Sequence, residues 1–262
     1  MSVRWTEAIA EYSTEQRAAR RSSGTIKLHR HYLNRLAAQH AHPWTVTTAH
    51  LRAFLAVPTW SAETQKSARA AVAGFYRWAE REGYVDVDPS ARLSAVTVPT
   101  GVARPVPEPV LRRALGLGDA RERLMILIAA YAGLRCAEIA RLHHDDLDGQ
   151  ILYVTGKGGK TRIVPVEHPE ILGAFARADG YLFPGRIDGH LSAGYVSKLF
   201  GEALPDGWTG HKLRHRFATR SNAVNPDLLA LGKVLGHSRP ETTQRYVQVS
   251  QEALLRVVRG AA

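Results

Sequence analysis

The chain has 262 residues, 45% of them hydrophobic, which suits one large folded domain or two small ones with their own cores and excludes a disordered chain. Its 35 Lys and Arg against 24 acidic residues leave a formal net charge of +11, so the expected partner is a polyanion, with nucleic acid ahead of an anionic membrane. The longest apolar run, 124–134, is too short to span a bilayer, the first residues lack a signal-peptide core, and the lone Cys136 excludes an intramolecular disulfide framework or a multi-cysteine zinc site, so the chain is expected in the cytoplasm and off the membrane.

Residues 3 to about 83 read as four helices. The first runs over "WTEAIAEYSTEQRAAR" from Trp5. The second, "TIKLHRHYLNRLAAQ", sets Ile26, Tyr32, Leu33 and Leu36 near helical spacing. Thr residues open the third ahead of Leu51, Phe54 and Leu55. Ser61 caps the fourth, although a full capping box would need Glu or Gln where Thr64 stands, and Gly83 stops it. Next comes a stretch with Pro89, Pro99, Pro105, Pro107 and Pro109 and little periodicity, an extended connector. The expected organisation is therefore a helical domain over 1–98, a linker over 99–107 and a second domain over 108–262. Both parts are cationic and could clasp a rod-like polyanion from opposite sides.

Beyond the linker, helices are expected at about 107–117 and 121–133, followed by "RCAEIARL" at 135–142. Two strands around a Gly-rich turn make a β-hairpin at 150–166. Helices follow at about 168–178, 192–203, 210–223, 227–235, 240–247 and 250–258. The fold class is mainly α: a four-helix N-terminal bundle, then a mixed α/β domain with a small antiparallel hairpin. No internal repeat is present.

Several stretches carry residues capable of chemistry. The turn "TGKGGKTR" fails as a nucleotide-phosphate loop, because Val154 stands five residues before Gly159 where a Gly is needed, and a hairpin is not a strand-to-helix turn. It leaves Lys157, Lys160 and Arg162 on a tight basic turn. His143 and His144 are adjacent and would diverge on a helix. His211 and His215 could share a metal, but the charge of Arg214 between them repels one, so neither metal nor cofactor is expected. In "GLRCAEIARL", Arg135 follows Gly133, with Glu138 three residues on to pair with it or hold its backbone; an ordinary surface pair has the same spacing. In "GHKLRHRFAT", His211, Arg214 and His215 share one helix face, while Leu213 and Phe217 anchor another. Finally, Gly236 ends a helix, His237 sits in the turn, and Tyr246 follows nine residues later. That tyrosine taken alone suits a half-buried core position.

Taken in order, Arg135, a hairpin lysine, His211-x-x-Arg214, Gly236-His237 and Tyr246 resemble the tyrosine recombinases, the phage integrase family. The match covers about 107–250, with "HxLRH" at His211–His215, "LGH" at Leu235–His237 and "TTxxY" at Thr242–Tyr246 in register. The resemblance implies a catalytic set of Arg135, Lys157, His211, Arg214, His237 and Tyr246. It also implies that the N-terminal four helices form a core-binding domain, as in Xer-like and small actinophage integrases that lack the arm-binding domain of the lambda type.

In that family the tyrosine attacks a DNA phosphodiester to give a 3′-phosphotyrosyl link and a free 5′-hydroxyl, which conserves bond energy without ATP or metal. Carried onto this chain, Tyr246 is the nucleophile, Arg135 and Arg214 grip the phosphate, and His237 is a further donor. Lys157 is the general acid with Lys160 as its rival, and His211 accepts the tyrosine proton or orients the phosphate. His215 supports the site from behind, and Lys160, Arg162, Lys212 and Arg216 are expected to meet neighbouring DNA phosphates. The partner is double-stranded DNA bearing attachment sites. The tail residues Leu254, Leu255, Val257 and Val258 would dock on a neighbouring protomer in a tetramer, with the free chain monomeric or weakly associated. The function implied is temperate-phage integration and excision, with Xer-like dimer resolution as the alternative. A relaxing type IB topoisomerase and a DNA-binding regulator without activity are the remaining readings.

Overall fold

A computed structural model describes residues 4–99, 104–205 and 207–236; the Lys157 side chain, His237, Tyr246, the two helices expected after 240 and the tail leucines lie outside the described residues. The chain divides into two compact units at Thr100/Gly101.

The N-terminal unit holds α1 (Trp5–Ala18), α2 (Ser23–Ala37), α3 (Thr48–Leu55) and α4 (Ala62–Arg81). Each of the last three starts where a hydroxyl can serve an orphan backbone donor: Ser22 accepts from the Thr25 N–H, Thr47 from His50 and Ser61 from Thr64. Helix α4 stops at Glu82, followed by Gly83 at φ +76°. The helices bury Leu33, Leu36, Leu51, Phe54, Val72, Phe75 and Tyr76, and Trp44 stacks on Phe75. Each such side chain contributes about 1.5–3 kcal/mol on leaving water.

The C-terminal unit begins with α5 (Glu108–Leu117) and α6 (Ala120–Leu127). The single helix expected over 121–133 does not form. Helix α6 ends at Leu127, a π turn spans Ile128–Ala132, and Gly133 sits at φ +67°. A Cβ at Gly133 would lie 2.5 Å from the Phe217 ring, so the chain needs glycine both for its handedness and for the close approach. This break releases Leu134 into the core and starts the short helix α7 (Cys136–Ile139) at Arg135.

The expected hairpin is present and gains a strand. β1 (Leu147–Asp148), β2 (Ile151–Thr155) and β3 (Thr161–Pro165) form an antiparallel sheet in that order. Its register pairs Leu152 with Val164, Tyr153 with Ile163 and Val154 with Arg162. Leu152, Val154 and Val164 point inward, and Tyr153 and Ile163 outward. The turn bends through Gly158 and Gly159, at φ +79° and +73°. Helices α8 (Pro169–Arg177), α9 (Ala193–Ala203), α10 (Gly210–Val224) and α11 (Leu228–Leu235) complete the described unit. Helix α10 lies against the π turn, with Leu213 in the main core and Ala218 packed against α11. Among the described residues no helix is long and apolar enough to cross a membrane.

Candidate active site

The break at Gly133 and the ends of β3, α10 and α11 converge on one carboxylate. Arg135 is extended at the start of α7, and its backbone N–H donates to the Glu138 carboxylate at 2.8 Å. Its guanidinium returns to the same group at 2.9 Å. Arg162, from β3, gives Glu138 two hydrogen bonds at 2.8 and 2.9 Å and a third, through Nε, to the Val234 carbonyl at 2.6 Å. Arg214, from α10, donates to the Gly133 carbonyl at 2.6 Å and to that of Leu235, and stands 3.7 Å from Glu138.

Among the described residues three guanidiniums therefore surround one carboxylate, an excess of two positive charges. The Glu138 and Arg214 side chains are 5% and 1% exposed, whereas Arg135 is 41% exposed and opens the cluster to solvent. Burial alone would raise the Glu138 carboxyl. Hydrogen bonds from Arg162 and the Arg135 backbone, with the charges of both arginines, outweigh it and hold the group below its usual range. Like charges at this spacing and low dielectric repel one another, so the cluster favours an incoming anion.

His211 starts α10 over the same cluster and lies edge-on to His215, with ring centroids 4.4 Å apart. Desolvation of its ring, then the charges of Arg214 and Arg135, lowers its pKa below the usual 6.5. It is thus a neutral imidazole at neutral pH, able to accept a proton. Lys157 lies at the tip of the hairpin between β2 and β3, beside the exposed Lys160. Lys212 is half-buried, with its Nζ 4.9 Å from the Trp208 ring centre and 3.2 Å from the Gly207 carbonyl.

Two residues expected to meet DNA phosphates point elsewhere. Arg162 is only 11% exposed and is held by Glu138 and Val234. Arg216 is 5% exposed, paired with Glu108 at 2.5 Å and lying over the Tyr131 ring. Both face inward because a buried cation takes the nearest carboxylate rather than solvent. The histidine pair at 143–144 also departs from expectation. A 3₁₀ turn over His144–Asp146, rather than a longer helix, sets the two rings 4.5 Å apart beside Asp145. The Gly180 N–H donates to His144 Nδ1 at 2.8 Å, so Nε2 carries the proton and gives it to Asp145 at 3.1 Å. A nitrogen bearing that proton has no lone pair for a metal.

Residues 114–253 match the phage integrase family. The chain belongs to that family. Among its relatives, the tyrosine recombinase XerC of Bradyrhizobium diazoefficiens is 35% identical over 248 residues, covering 80% of this chain and 76% of that protein. The integrase from mycobacterium phage Brujita is 26% identical, with a TM-score of 0.50 over 95% of this chain and 96% of that one. A lambda integrase dimer bound to a COC′ core site superposes with a TM-score of 0.76 over 94% of this chain and 77% of the other; at 18% identity it shows a shared fold.

This tyrosine recombinase thus brings Arg135 and Arg214 together around Glu138, with His211 near enough to feel both charges and Lys157 on the turn before β3, which carries Arg162. What the motifs left out is the double hold of Arg162. A signal was present: Arg162 is two residues before the inward Val164, so strand alternation already turns it toward the core.

Proposed function

We propose that this tyrosine recombinase cuts and rejoins duplex DNA at a specific core site through a 3′-phosphotyrosyl link at Tyr246, and serves as a temperate-phage integrase joining two different attachment sites. The observation that carries the chemistry is the surplus positive charge around Glu138 beside the neutral His211. A phosphodiester repels nucleophiles by its own charge. Arg135 and Arg214 donate to the non-bridging oxygens, whose charge grows as phosphorus becomes pentavalent. The Tyr246 oxygen forms the new bond to phosphorus as the bond to the 5′-oxygen breaks. His211 takes the tyrosine proton, Lys157 gives one to the leaving 5′-oxygen with Lys160 as its rival, and His237 is a further donor. Bond energy is kept in the link, so the reverse attack reseals the strand.

In this reading residues 1–98 are a core-binding domain, 99–107 a linker and 108–262 the catalytic domain, and synapsis of two duplexes takes four chains. Lys160 and Lys212 meet phosphates beside the scissile one. The kinship with XerC supports a second reading, resolution of dimers between two identical sites.

The test is covalent trapping on nicked duplexes carrying candidate sites, without metal or nucleotide, followed by a denaturing gel. Wild type gives a protein–DNA adduct and Tyr246→Phe gives none. Specific binding without any adduct would sink the enzymatic reading in favour of a DNA-binding regulator. Arg214→Ala lowers the rate of adduct formation about 10²–10³-fold. Recombination between two different sites supports the integrase, and recombination confined to two identical copies supports the resolvase.

A further inference from the structure

We propose that Arg162 is a positioning residue: a single guanidinium that fixes both the Glu138 carboxylate and the C-terminal end of α11, from which the chain passes through Gly236 to His237. The inference rests on the recombinase reading and adds to it a residue outside the six expected to carry the chemistry.

All three nitrogens of the Arg162 guanidinium are engaged, two on Glu138 and one on the Val234 carbonyl. A planar fork of this kind sets the rotation of a carboxylate, which a lysine cannot do. Glu138 fixed in this way gives one oxygen to the Arg135 guanidinium and the other to the Arg135 backbone, so the outward direction of Arg135 depends on it.

The other end of the hold is equally local. Val234 and Leu235 lie in the last turn of α11, where carbonyls lack a partner within the helix. Arg162 takes the first and Arg214 the second. Gly236 then turns left-handed at φ +63°, and a Cβ there would lie 2.9 Å from Arg162 Cδ, so the chain leaves the helix directly against the arginine stem. One side chain thus ties the strand β3, the start of α7 and the end of α11.

The experiment compares wild type with Arg162→Lys, which keeps the charge and loses the fork, after thermal melting has shown that the variant folds. Three quantities are read: DNA affinity with its salt dependence, single-turnover adduct formation as a function of protein concentration, and amide hydrogen exchange. The expected result is affinity within twofold and an unchanged salt slope, with a saturating rate lower by about 10²-fold. The half-saturating concentration stays in place, and the amides of 231–236 exchange at least tenfold faster, with α9 unaffected. A salt slope smaller by about one with the saturating rate intact would make Arg162 a phosphate contact and overturn the proposal. Unchanged exchange would overturn it too, as would a wild-type saturating rate. If wild type forms no adduct on any site, the recombinase reading fails, and the exchange and salt arms still decide whether Arg162 holds α11.

Discussion

Two carboxylates of the C-terminal unit each gather three guanidiniums, and they differ in how far water reaches them. Glu138 takes Arg135, Arg162 and Arg214 in a buried cluster. Glu108 takes Arg112, Arg216 and Arg220 and is 38% exposed. The charge count is the same. At Glu108 the Arg216 hydrogen bond, with the charges of Arg216, Arg220 and Arg112, outweighs burial and lowers the carboxyl pKa, and solvent screens the surplus cations. At Glu138 water screens little, so the surplus becomes an attraction for a phosphate. Arg214 and Arg216 stand two residues apart on α10, about 200° around the helix, so one helix supplies opposite faces to both clusters. Placement against solvent, rather than composition, separates a candidate anion site from a clamp between α5 and α10.

The same substitution at both centres tests that distinction. Glu138→Gln destabilises the C-terminal unit by about 3–5 kcal/mol, because buried guanidiniums lose their counter-charge; a urea midpoint close to wild type would mean that water reaches the cluster. Gly133→Ala strikes the buried side alone, since Gly133 lends its carbonyl to Arg214 and its φ of +67° is strained for any Cβ. Strain and overpacking against Phe217 together cost about 2–4 kcal/mol, and a fall in adduct formation should accompany the lower stability.

Smaller effects sharpen the contrast. The lowered pKa of His211 means that the unfolded chain takes up the proton first as pH falls. The stability contributed by its neutral form is therefore present above about 6.5 and lost as pH falls toward the folded value. Adduct formation should follow an acid limb with a midpoint below 6.5 that His211→Gln removes from the pH–rate profile; a limb retained in that variant would assign the proton to another group. Glu108→Gln keeps an acceptor for the buried Arg216 and loses only exposed pairs with Arg112 and Arg220, so it costs about 1–2 kcal/mol, less than Glu138→Gln. That cost should shrink between 0.1 and 1 M salt, while the cost of Glu138→Gln holds; equal salt sensitivity in the two melts would mean that water screens both carboxylates alike.

Local structure was largely legible where its cause is local. Ser61 and Thr47 announce helix starts because a hydroxyl at that place meets a nearby N–H. The hairpin follows from alternation around Gly158 and Gly159, and the Arg135–Glu138 pair from a spacing of three. Less legible were the π turn that interrupts the helix after Leu127 and the added strand β1, which answer to packing and pairing partners elsewhere. The side-by-side rings of His143 and His144 depend on Gly180, far along the chain.

Residue order by itself determined the cationic balance, most of the helices, the hairpin and the motifs of the integrase family, since each rests on residue type and short spacing. Only the tertiary structure decided which cations face solvent. Arg162 and Arg216 sit in basic segments that look alike in sequence to Lys160 and Lys212. Their carboxylates stand 24 and 108 residues away, and a buried charge takes its role from the partner that the fold brings to it.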